Sequence, residues 1–278
     1  MEELRGKRFG EERALYGRRG VKLLDCSFSG EEDGESALKE SSDVELTSCL
    51  FDLRYPLWHA SGVRLVDCKI NETCRAPFWY SKDVCLQNTK LYGTKAIREC
   101  CDVRLTGCHA VSEEFAWFSD QIHIQSSRIE GAYFMLRSRN VTLKDIELYG
   151  KYSLQYVEGG TIENCLLDTK DSLWHAKGIT VKNSVIKGEY LAWYSEDVTF
   201  IGCKIYGTQP FCYCKGLRLV DCEMHECDLA FEKSEVEATL LCPIDSIKNP
   251  LSGRIELPFA GEVIMDDPMA RGEIVFKK

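Results

Sequence analysis

Five tryptophans are the residues of this sequence whose spacing says most about chemistry. Trp58, Trp79, Trp117, Trp174 and Trp193 each stand five residues before an apolar-polar-apolar run such as Val63–Ile70. The position after them carries His59, Tyr80, Glu99, Phe118, Arg137, Tyr156, His175, Tyr194, Tyr213 and Glu232, and Tyr55, Tyr133, Tyr152 and Tyr190 lie a few residues earlier. Flat rings repeated at one phase of a winding chain make a ladder suited to stacking sugars or holding an extended polymer. Trp58, His59, Trp79, Tyr80, Trp117, Trp174, His175, Trp193 and Tyr194 are therefore the expected ligand-binding residues. The competing expectation is that the tryptophans fold over a corner and pack as structure, because strand alternation does not fix which column points inward.

The same face offers acid/base candidates. Glu99 and Arg137 are two coils apart, and Glu189 is expected beside Trp193 and His175 in neighbouring coils. Long side chains reaching across two coil spacings of ~4.8 Å each can place a carboxylate and a base on one sugar. Paired charges on such a face also serve as plain surface ion pairs. No metal and no cofactor is expected: the five histidines fall at different phases except His59 and His175, which are six coils apart, and no two cysteines form a C-x-x-C pair. Cys26, Cys49, Cys68, Cys108, Cys165, Cys203 and Cys222 share one phase with Thr89, Ser127, Ile146, Ser184 and Leu241. They read as a column of small buried side chains.

The element that positions these residues is a nineteen-residue repeat. Val-Arg-Leu-Val-Asp-Cys-Lys-Ile at 63–70 returns as Leu-Arg-Leu-Val-Asp-Cys-Glu-Met at 217–224. Repeat starts fall at Val21, Val44, Val63, Val84, Val103, Ile122, Val141, Gly160, Ile179, Val198, Leu217 and Val236, at intervals of nineteen from Val84 onward. Early insertions fall within Ser29–Ser36 and near Thr73–Arg75. Phases one and three are apolar around a polar second, which is a short strand with one buried face. Phase five collects Asp, Asn and Gly, which tolerate a left-handed bend. Phases six and eight turn inward again, and a third strand is expected to carry Leu57, Ile97, Met135, Leu154, Leu173 and Phe211 inward.

Three strands per repeat with no helical period predict an all-β, right-handed parallel β-helix. One domain is expected over 1–278, with an N-terminal cap at 1–14, coils over 15–242 and a C-terminal cap at 243–278. Apolar content of 44% with 28% charged residues fits an ordered chain. A net charge of −9 argues against nucleic acid and anionic membrane as partners, since both reward a basic face. No apolar run approaches the ~20 residues of a membrane span, and the start Met1-Glu2-Glu3-Leu4-Arg5 lacks the apolar core of a signal peptide, so a cytoplasmic location is expected. The oligomeric state is not written in the repeat.

Several segments carry a resemblance: Glu12-Arg13-Ala14-Leu15, Gly34-Glu35-Ser36-Ala37-Leu38-Lys39-Glu40-Ser41, Tyr55-Pro56-Leu57-Trp58-His59, Leu173-Trp174-His175-Ala176, Gly188–Ser195, Gly207–Cys214 and Ile244–Pro250. The sequence resembles the domain-of-unknown-function 3737 proteins of bacteria, placed with the pectate-lyase-like β-helix superfamily. The resemblance implies a fold and no activity. The Asn-Thr-Asp, Gly-His-Gly and Arg-Ile-Lys signatures of polygalacturonase-like enzymes are absent, and the one Asp-Asp pair, Asp266-Asp267, lies in the expected cap. The leading functional expectation is a protein that binds carbohydrate or a similar extended ligand along an aromatic face. A polysaccharide-active lyase or hydrolase and a structural or self-associating protein are the alternatives.

Overall fold

A computed structural model of the chain describes residues 1–30 and 34–277. The middle of the acidic insertion, 31–33, and the last residue of the expected C-terminal cap lie outside the described residues. The chain divides into two compact units, Met1–Thr142 and Leu143–Lys278. Each is a stack of parallel coils, and the fold class is the all-β parallel β-helix expected from the repeat. Connections between parallel strands favour the right hand for steric reasons. Among the described residues no helix is long and apolar enough to cross a membrane.

In the first unit, six-residue strands such as Ser61–Val66, Lys82–Gln87, Cys101–Thr106 and Asp120–Gln125 pair in parallel, with Val63, Val84, Val103 and Ile122 in register. The phase-three residues Leu65, Leu105, Leu143 and Leu219 are buried, as alternation requires. The chain then bends at phase five, where Asp25, Asp67, Asn88, Asp145, Asn164, Asn183 and Asp221 all take a positive φ. Short strands follow, including Lys69–Ile70, Lys90–Leu91 and His109–Val111. Their inward rings stack from coil to coil, as Phe28 does on Phe51 at 4.6 Å.

The third side corrects the sequence expectation. Leu57, Ile97, Met135, Leu154, Leu173 and Phe211 do point inward and are fully buried. Their segments are runs of turn rather than strand, because alternate residues sit in the left-handed region: Lys95, Ile97 and Glu99, then Glu114, Ala116 and Phe118. Extended backbone cannot contain such residues. The turns still hydrogen-bond from coil to coil, Glu99 N–H to Trp117 C=O at 2.8 Å and Ala116 N–H to Ala96 C=O at 2.8 Å.

A buried serine column, with cysteine at two levels, stitches this side together. Ser81 Oγ donates to Leu57 C=O at 2.6 Å and accepts from Ala60 N–H at 3.0 Å. Ser119 Oγ likewise donates to Ile97 C=O at 2.6 Å and accepts from Cys100 N–H at 3.1 Å. In the second unit Ser234 Oγ accepts from Cys214 N–H at 2.8 Å and donates to Phe211 C=O at 2.5 Å. Each hydroxyl satisfies two buried groups, which would otherwise cost about 1–3 kcal/mol apiece.

The phase-six cysteines are buried as expected, and Leu241 is the exception. A register shift between Leu219 and Cys222 pairs Cys222 with Leu240, so Leu240 turns inward and Leu241 is 59% exposed. The two expected caps are themselves wound. Glu2–Arg5 pairs with Arg19–Leu24, Glu2 opposite Val21, and Arg8–Phe9 pairs with Ser27–Phe28. Past residue 242, Ile244–Lys248 pairs with Ala260–Ile264, and Ser252–Leu257 lies between Glu235–Leu240 and Glu273–Phe276. The interval shortens in the first two of these pairings and returns to nineteen in the last, Arg254 opposite Glu273, while the stacking continues.

Candidate functional site

In the first unit two cations share the tryptophan position. The column runs Lys39, Trp58, Trp79, Arg98, Trp117. Trp58 and Trp79 stack with centroids 5.7 Å apart and planes within 14°, and Lys39 Nζ lies 4.4 Å over the Trp58 ring. Arg98 stands between Trp79 at 5.5 Å and Trp117 at 5.4 Å, contacts that favour a cation on a π-face. The outer column begins with His59 stacked on Tyr80 at 4.9 Å, and Glu99 follows.

Glu99 is not free for acid/base work. It accepts from Trp79 Nε1 at 3.3 Å and from Arg98 Nε at 3.3 Å, and Arg98 also reaches Glu114, itself bridged to Lys95. Phe118 occupies the coil between Glu99 and Arg137. The expected carboxylate and base are thus separated by an exposed ring.

In the second unit the ladder is unbroken. Tyr156, His175, Tyr194 and Tyr213 stack in sequence at 4.7, 5.0 and 4.7 Å, with planes within 9°. Trp174 and Trp193 stack beside them at 5.6 Å and 9°. Their indoles reach into the next coil, Trp174 Nε1 donating to Tyr190 C=O and Trp193 Nε1 to Gln209 C=O, both at 2.7 Å. Trp117 makes the same bond to Tyr133 C=O at 2.6 Å in the first unit. Trp58 does not: its Nε1 is buried without a partner.

The tryptophans are therefore half-buried corner pieces that tie coil to coil. The rings outside them are the exposed ones, Tyr80 at 42%, Tyr156 at 40% and Tyr194 at 43%. Because consecutive rings lie face to face along the stack, their π-faces are occupied by one another. What meets solvent is a row of ring edges, tyrosine hydroxyls and one imidazole. Such an edge offers hydrogen-bonding groups rather than open ring faces.

Glu189 belongs to a different place. It lines a groove with Val185, Lys187, Gly188, Tyr206, Gly207 and Glu226, all in the second unit, and neither His175 nor Trp193 is part of that lining. Behind it, Asp171 is buried, and its carboxyl is raised above the usual range by that burial and then by the charge of Glu189. The signal that finds this groove in the sequence is the glycine at phase ten, which changes to Glu226 in the third of three successive coils. Burial pushes the thiols of Cys74, Cys212 and Cys227 up to about 12, so these cysteines act as small apolar groups.

Comparison with known proteins adds a family and some distant likenesses. No curated protein matches the sequence. Among solved structures, the A-module of the Azotobacter vinelandii mannuronan C-5 epimerase is similar at 10% identity, with 99% of this chain and 89% of that one covered and a TM-score of 0.36. Tailspike protein 3 of bacteriophage CBA120 is similar at 11% identity and a TM-score of 0.32, over 99% of this chain and 56% of the tailspike. The Streptococcus pneumoniae surface protein and adhesin PfbA is similar at 10% identity and a TM-score of 0.32, over 94% and 77%. The family is shown by sequence: residues 2–275 match the model described as "Protein of unknown function (DUF3737)", and the chain belongs to that family.

Proposed function

We propose that the protein is a binding protein that holds an extended, hydroxyl-rich ligand, in the first place a carbohydrate, along the ring ladder of its second unit. The observation that carries this reading is the uninterrupted stack Tyr156, His175, Tyr194, Tyr213. Its edges repeat at about the coil spacing of ~4.8 Å, so a ligand with a repeating backbone meets the same donors and acceptors at each step. Trp174 and Trp193 support the ladder from behind, and the shorter pair His59 and Tyr80, backed by Trp58 and Trp79, offers a lesser stretch of the same surface. An enzymatic reading draws no comparable support from Glu99, whose carboxylate is held by Arg98 and Trp79.

A glycan-array screen of the purified protein tests the reading, followed by titration of the best glycan against Tyr194→Phe and Tyr213→Phe. These variants keep the stacked rings and remove one hydroxyl each. Each is expected to weaken binding roughly fivefold, the worth of one hydrogen bond of about 1 kcal/mol, with unchanged thermal unfolding. Absence of any bound glycan, or full affinity in both variants, overturns it.

A further inference from the structure

We propose that the groove lined by Lys187, Glu189, Tyr206 and Glu226 is a second binding site, separate from the ladder, and that it takes one uncharged sugar unit. Its floor is made by a break in the side-chain pattern. Gly188 and Gly207 occupy one phase of successive coils with φ of 141° and 127°. A Cβ on Gly188 would lie 2.5 Å from Thr169 O, and one on Gly207 would lie 2.3 Å from Gly188 O. The coils approach too closely there for any side chain, which leaves bare backbone that a ligand ring can approach.

The walls supply both halves of sugar recognition. Lys187 and Tyr206 are paired in register, as are Tyr206 and His225. Tyr206 stacks one face on His225 at 5.0 Å, which holds the ring upright as an apolar wall. The third member of the glycine phase is Glu226, with φ of 54°, so a carboxylate stands where the two preceding coils are empty. Among the described residues the side chains of Glu189, Glu226 and Lys187 make no hydrogen bond or ion pair, whereas the neighbouring Lys204, Glu223 and His225 are paired with one another. Three ionic groups on one small groove are thus left with water.

That inventory selects the ligand. Two carboxylates accept hydrogen bonds from hydroxyl groups, Lys187 donates to ring or hydroxyl oxygens, and the Tyr206 ring covers an apolar patch. A volume of about 610 Å³ lies within the range of small-ligand sites. An acidic sugar would bring a third negative charge to Glu189 and Glu226, in a protein of net charge −9. The site therefore discriminates by charge between uncharged sugars and uronic acids.

The test is NMR titration of the full chain with a panel of uncharged disaccharides (cellobiose, maltose, lactose) and with digalacturonate. At least one uncharged disaccharide is expected to bind and digalacturonate not to. Glu189→Gln with Glu226→Gln should weaken that binding roughly tenfold, as loss of charge-assisted hydrogen bonds does. Tyr206→Ala should weaken it as well, as read from the shifts of the groove residues. If no uncharged disaccharide binds, if digalacturonate binds as well as they do, or if the double variant keeps full affinity, the proposal fails. Because the ladder is probed by Tyr194→Phe and the groove by Glu226→Gln, failure of one reading is distinct from failure of the other.

Discussion

One corner of the coil is built in two ways. In the first unit, Lys39 and Arg98 flank the stacked pair Trp58 and Trp79 in the indole column, and the ring column is interrupted at Glu99. In the second, indole lies on indole and four smaller rings stack without a break. Both solve the same problem, since a half-buried ring needs a partner on each face. A cation satisfies a face electrostatically and draws in its own counter-charges, here Glu99 and Glu114. A ring satisfies a face by contact alone and needs no counter-charge. The first solution ties up the carboxylates that the spacing offered for catalysis, and the second stacks ring on ring.

The comparison is sharpest for complete loss of an indole. Trp193→Ala removes a stacked partner, edge contacts with Tyr190 and Tyr213 and a hydrogen bond. It is expected to cost about 2–3 kcal/mol in urea denaturation, below the value for a fully buried tryptophan. Trp117→Ala, whose ring meets Phe118 and Tyr133 only edge-on, is expected to cost about 1–2 kcal/mol. A larger loss at Trp117 than at Trp193 would break the distinction.

Smaller effects separate hydrogen bonding from packing. Trp174→Phe deletes the donor to Tyr190 C=O and is expected to cost about 1 kcal/mol by the same measurement. Trp58→Phe deletes a buried N–H that has no acceptor, so it should be neutral or stabilising. Equal losses at the two positions would mean that packing, not the coil-to-coil bond, holds the indoles.

The smallest expected effect is at Asp171. Its carboxyl titrates above the ordinary range when folded, so the folded state holds the proton more tightly than the unfolded chain. Stability then falls as pH rises from the usual carboxylate value through the raised one. Asp171→Asn, which also tolerates the positive φ, should stabilise the protein at neutral pH by less than Trp174→Phe destabilises it. The gain should vanish in acid, as melting temperatures across pH would record.

What the sequence makes legible follows from alternation. Apolar residues at phases one, three, six and eight mark the inside, and Asp, Asn or Gly at phase five marks the bend. The winding of residues 1–14 is not legible in the sequence because Glu2 takes the phase-one place, where other coils carry an apolar residue. The third side reads as strand in the sequence because an inward column such as Ile97 and Met135 looks the same whether the backbone is extended or turning. Ring orientation is not legible for another reason: composition shows that rings are present, but the close coil spacing alone decides that they turn their faces to each other. The roles of Arg98 and the serine column follow from the same fact, since each acts on the coil next to its own.

The uniform register has a consequence for how the chain reaches this state. Most backbone bonds between coils join stretches about nineteen residues apart, as in the register of Val84 with Val103 and Val103 with Ile122. Within each unit a new coil therefore closes a loop of similar length onto a template already formed, and the entropic toll of closure, which rises only with the logarithm of loop length, is nearly the same at every step. The first coils have no template and bear the barrier; every later one is growth. Assembly of this kind resembles crystallisation in one dimension, with a costly seed and a repeated, downhill addition.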